Sequence, residues 1–91
     1  MRQFSDSEIP YFSWDRKVSV VEIRNALCSD SLDVQNRFRS WIMREAAFED
    51  VWAFLTPQEV WDHFSELKAS LGRKKDFWTY ILRKWHELGK I

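Results

Sequence analysis

Apolar residues recur three or four positions apart along most of the chain, the spacing that gathers side chains on one face of an α-helix. Val20, Ile23 and Leu27 form a first short stripe, and Val34, Phe38, Trp41 and Ile42 a second. Val60, Trp61, Phe64, Leu67 and Leu71 form a third, and Phe77, Trp78, Ile81, Leu82, Trp85 and Leu88 a fourth. Local chemistry sets their edges. Ser19-Val20-Val21-Glu22 reads as a capping box, in which the Ser19 oxygen accepts from the Glu22 amide and the Glu22 carboxylate reaches back to the Ser19 amide. This predicts a helix over about 20–28. The polar cluster Ser29-Asp30-Ser31 ends it and caps the next, which starts near Leu32. Thr56-Pro57-Gln58-Glu59 is the strongest local signal: a preferred N-cap, Pro at the first helical position and Glu at the third. Gly72 is the expected stop of that helix and Gly89 of the last.

No Gly or Pro interrupts the chain between Leu32 and Pro57. One helix over 32–55 would be about 36 Å long, a long span for a chain of this size, so a break near Ala46-Ala47 is expected. Residues 1–18 show no sustained period, and Pro10 pushes Ile9 toward extended geometry. They read as an arm whose aromatic residues Tyr11, Phe12 and Trp14 either lie over the helical core or are held out for a partner. With no strand-like alternation, the expected fold is all-α: a compact bundle of four to five helices (19–91) with an extended aromatic N-terminal arm (1–18).

Composition sharpens this picture. The 91 residues suit one domain, and six Trp, seven Phe and two Tyr let a short chain reach a workable core. The single cysteine, Cys28, excludes an internal disulfide framework and reads as a small buried hydrophobe rather than a nucleophile. The opening residues lack the apolar core of a signal peptide, and no stretch approaches the ~18 apolar residues of a membrane span. A soluble cytoplasmic protein is expected. The net charge of zero hides an asymmetry. Residues 45–67 carry Glu45, Glu49, Asp50, Glu59, Asp62 and Glu66 with no Lys or Arg, whereas 68–91 carry Lys68, Arg73, Lys74, Lys75, Arg83, Lys84 and Lys90 against Asp76 and Glu87. Two solvated faces that attract each other in the fold are one reading, and a basic docking surface is the other.

Catalytic constellations are missing from the pattern. His63 and His86 lie in no metal-ligand spacing, neither neighbours Cys28, and the two glycines make no phosphate loop. No cofactor, metal or small-molecule substrate is expected, and the chain is read as a non-enzyme. Glu45 stands out because a regular second helix would project it at the centre of the Val34–Ile42 stripe, where an unpaired carboxylate costs several kcal/mol. A helix break before it, an Arg reaching it, or a partner would each resolve that cost, and an ion pair is favoured. Met43 lies opposite the same stripe, exposed on a lone helix or buried under a second packed face. Arg73, Lys74 and Lys75 at the start of the last helix, with Arg83 and Lys84 farther along, are candidate phosphate contacts. The stretch from Thr56 onward has a faint likeness to winged helix-turn-helix sequences, but its first helix is too long. Phe77, Trp78 and Trp85 moreover fill the would-be recognition helix with core-seeking rings.

The run from Trp41 through Ile42-Met43-Arg44-Glu45-Ala46-Ala47-Phe48-Glu49-Asp50-Val51 to Trp52, followed by Leu71-Gly72-Arg73, Phe77-Trp78 and Trp85, resembles small uncharacterised prokaryotic helical proteins. Similar members accompany nucleotidyltransferase-like toxin–antitoxin partners, and the likeness covers about residues 14–91. It implies a protein partner, an antitoxin that masks a nucleotidyltransferase, and supplies no catalytic residues. The expected function is therefore a protein-interaction module using Tyr11, Phe12, Trp14 and Glu45, with self-association as a companion. A nucleic-acid-binding domain using Arg73, Lys74, Lys75, Arg83 and Lys84 is the alternative.

Overall fold

In the computed structural model, which describes residues 3–91, both capping boxes form as their residues dictate; the first two residues of the expected arm lie outside the described residues. The Ser19 side chain accepts from the Glu22 amide and opens α1, Val20–Leu27. Ser31 accepts from the Val34 amide and opens α2, Leu32–Glu45. A short α3, Phe48–Val51, follows the expected break. Thr56, with Pro57 behind it and Glu59 at the third position, opens α4, Pro57–Leu67. After two 3-10 turns, Lys68–Ser70 and Gly72–Lys74, α5 runs from Lys75 to Glu87. Among the described residues the architecture is all-α, with five helices and no strand, and no helix is long and apolar enough to cross a membrane.

The third stripe departs from expectation. Its α-helix ends at Leu67 rather than running to Gly72, because the chain tightens into i→i+3 bonding, with the Leu71 amide donating to Lys68 at 3.3 Å. The Ser70 carbonyl accepts instead from the Arg44 guanidinium at 2.9 Å, tying the turn to α2. Leu67 and Leu71 both stay in the core. Gly72 then takes φ +56°, a left-handed conformation that a side chain disfavours, and turns the chain into α5.

The N-terminal segment is part of the core. Phe4 and Phe12 are buried; Phe12 meets Phe4, Trp41 and Phe54 edge-on and Phe4 lies tilted against Phe54, at centroid distances of 5.2–6.4 Å. Its backbone also finishes α1: the first two helical amides, Val20 and Val21, donate to the carbonyls of Glu8 and Asp6 at 2.9 and 3.0 Å. Those donors have no partner inside a helix, so the segment supplies what α1 lacks.

The α2–α3 break has an equally specific cause. Had the helix continued, the Ala47 amide would donate to the Met43 carbonyl. Instead the Ala47 amide donates to the Tyr11 hydroxyl at 2.8 Å, and the Met43 carbonyl accepts from Trp78 Nε1 at 3.0 Å. One backbone hydrogen bond is thus replaced by two side-chain bonds, from opposite ends of the sequence. Met43, which a lone helix would expose, is fully buried because α2 is covered on more than one side. Cys28, expected to be buried, is exposed at the C-terminal cap of α1.

Candidate functional site

Ser13 organises the region around the sequence-nominated aromatics. It is fully buried; its carbonyl accepts from the Arg16 and Lys17 amides at 3.2 and 2.7 Å, and its Oγ accepts from the Val18 amide at 2.8 Å. Closing this turn puts Lys17 at φ +54°, an unfavourable conformation for a residue with a side chain. The Arg16 guanidinium lies 4.9 Å from the Trp41 ring centre, a cation–π contact that holds the turn against α2. Held this way, Trp14 points outward and is 78% exposed. An indole in water on a braced turn leaves a large apolar face unburied, with part of its immobilisation entropy already spent.

The other nominated side chains divide. Phe12 is 3% exposed and is withdrawn from any contact surface, since its ring completes the core with Phe4, Phe54 and Trp41. Tyr11 keeps about half its surface, but its hydroxyl donates to Asp50 Oδ2 at 2.6 Å while accepting from Ala47, so it is first a structural tie. Glu45 is the last residue of α2. The helix ends there and the carboxylate, half exposed, turns to Arg44 Nε at 3.3 Å, the ion pair that the sequence favoured. Tyr11 and Glu45 therefore flank the same break, at Ala46-Ala47, while Trp14 stands on its own turn.

The expected attraction between the acidic stretch 45–67 and the basic stretch 68–91 is not what the fold uses. Glu59 meets Arg39 of α2 at 3.0 Å, Glu45 meets Arg44, Glu66 lies 3.7 Å from His63, Asp62 accepts from Gln58, and Asp50 accepts from Tyr11. These acids are answered by nearer residues. Among the described residues, no salt bridge within 4.0 Å involves Lys68, Arg73, Lys74, Lys75, Arg83, Lys84 or Lys90.

Nor do those cations form one strip. Lys74 borders an apolar pocket of about 220 Å³ with Phe48 and Phe77, and its Nζ reaches the Ala46 carbonyl at 3.5 Å. Lys75 and Arg83 border a groove between α4 and α5. Arg83 and Lys84 share a third depression with Asp76 and Glu87. Arg73 is exposed in the 3-10 turn ahead of α5.

The α4–α5 groove escapes a reading that assigns every stripe to the core. Trp61 and Phe64 line it, only half-buried, beside the buried Leu82, and Trp61 stacks on His86 of α5 at 4.4 Å with the rings 17° apart. Lys68 borders it from beyond α4. The signal was present in the spacing: Trp61, Phe64 and Lys68 fall on one helical face, and Lys75, Thr79 and Arg83 on another. Among the described residues no cluster of His, Cys, Asp and Glu could hold a metal ion. No family model, curated protein or solved structure matches this chain.

Proposed function

We propose that this protein is a cytoplasmic, non-enzymatic interaction module that binds a protein partner, with Trp14 as the anchor of the contact. What supports the reading most is the position of Trp14: 78% exposed, on a turn fixed by three hydrogen bonds to Ser13 and by Arg16 over Trp41. Aromatic side chains presented at low entropic cost are the usual hot spots of protein interfaces. The exposed Ile9 and Tyr11 nearby in sequence enlarge the apolar area available. The specific form of this reading, carried by the resemblance noted above, is an antitoxin-like protein of prokaryotic origin that masks a nucleotidyltransferase. The test is co-purification of the native protein with its partner identified by mass, followed by assay of nucleotide transfer with and without added protein. Trp14→Ala should leave the fold intact and weaken the complex about tenfold or more. A clean monomer that retains no partner would remove the module reading, and a partner without transferase activity would remove the antitoxin form.

A nucleic-acid-binding reading draws on the cations that lack ion pairs, Arg73, Lys74, Lys75, Arg83 and Lys84. It requires affinity that falls steeply with added salt. Negligible binding to DNA and RNA at low salt would end it.

A further inference from the structure

We propose that the groove between α4 and α5 is a second docking site, one that takes a short acidic, amphipathic segment of a protein partner. The inference rests on the interaction-module reading but on different residues. It is lined by the apolar Trp61, Phe64 and buried Leu82, by Thr79, and by the cations Lys68, Lys75 and Arg83, contributed from both sides of the groove. No acidic side chain lines it, and none of the three cations has a salt bridge among the described residues. An apolar lining beside unanswered positive charge is complementary to a segment with one apolar anchor flanked by carboxylates. The cavity, about 280 Å³, has room for an inserted apolar side chain.

Two observations favour an acidic peptide over a nucleic-acid strand. The Trp61 face toward α5 is covered by the His86 ring, so no base can stack there. Beyond Arg83 the adjoining depression carries Asp76 and Glu87, and a phosphate backbone leaving the groove on that side would run against two carboxylates. A short segment confined to the groove meets only the cations.

The experiment titrates the full-length protein into a fluorescently labelled peptide of about 14 residues, close to four helical turns, with Leu on one helical face and Glu elsewhere. A scrambled isomer, a thymidine oligonucleotide of equal charge and the variants K75E/R83E and K84E/K90E complete the set. The two double variants change net charge equally, and circular dichroism checks that both fold. Expected are saturable binding of the amphipathic peptide that weakens between about 50 and 300 mM salt, and a loss of about tenfold or more for both the scrambled isomer and K75E/R83E. K84E/K90E should bind within about twofold of the parent, since those charges lie off the groove. The proposal is overturned by absence of peptide binding, by equal binding of the scrambled isomer, by tighter binding of the oligonucleotide, or by self-association that K75E/R83E abolishes, which would assign the groove to a second copy. A co-purified partner lost by Trp14→Ala but kept by K75E/R83E would leave the module reading standing without this one.

Discussion

Phe4, Phe12, Phe38, Trp41 and Phe54 form one cluster of rings where the N-terminal segment meets α2, whereas Phe48, Trp52, Phe77, Trp78 and Trp85 form another around α5. Both belong to a single core, and both bring rings together at 5–6.5 Å, mostly edge-to-face, as aromatic quadrupoles prefer. They differ in how their edges are closed. At the first, cations cover the rings, with Arg16 over Trp41 and Arg24 over Phe54 at 5.2 Å, and Arg24 also pairs with Asp6 at 3.9 Å. At the second, one indole N–H is bonded to Met43, Phe77 is left 45% exposed, and among the described residues the lysines and arginine of α5 face solvent without a salt bridge. The first region spends its charges on its own rings. The second keeps them available, which is why the groove and the unpaired cations lie on that side of the sequence.

Removing a central ring should have the largest effect on this contrast. Trp78→Ala should cost about 3–5 kcal/mol in urea denaturation, since it opens a cavity and leaves the Met43 carbonyl without its donor. A loss no larger than that of an exposed ring would mean the second cluster is not a core element at all. Next comes Glu59→Ala. Glu59 closes the α4 capping box and also holds the nearly buried Arg39, so its removal should cost about 2–3 kcal/mol. Tyr11→Phe keeps the ring and removes only the hydroxyl that serves Ala47 and Asp50, so about 1–2 kcal/mol is expected, with faster hydrogen exchange at the Ala47 amide. An unchanged exchange rate there would show that the break does not depend on the N-terminal segment. Smallest is Lys17→Gly, which relieves the φ +54° conformation and should stabilise the protein by about 0.5–1 kcal/mol, read as a raised Tm.

The candidate surfaces were legible in the sequence to different depths. Trp14 stood out because it fits no stripe, and the fold leaves it exposed. Its neighbour Phe12 carried the same signal and is buried, because a segment without a period gives no way to tell the inward ring from the outward one. The cations of 68–91 were legible as a surplus; their lack of salt bridges among the described residues was not, since the acids had closer answers such as Arg39 in α2 for Glu59. Trp61 and Phe64 matched a core stripe and are only half-buried, because helical periodicity names a face and not what covers it.

The amino-acid order by itself determined the all-α class, the starts of α1, α2 and α4, and the direction of most apolar faces. Those features rest on hydrogen bonds such as Ser19 to Glu22 and Thr56 to Glu59, made within three residues and independent of the rest of the chain. Only the tertiary structure decided where α2 stops, which way the N-terminal rings face and which charges are left over. The α2–α3 break needs Tyr11 and Trp78, 36 and 35 residues from the backbone groups they satisfy. A backbone donor and acceptor can be released from a helix only where such distant side chains arrive to replace the bond, and no local pattern encodes that arrival.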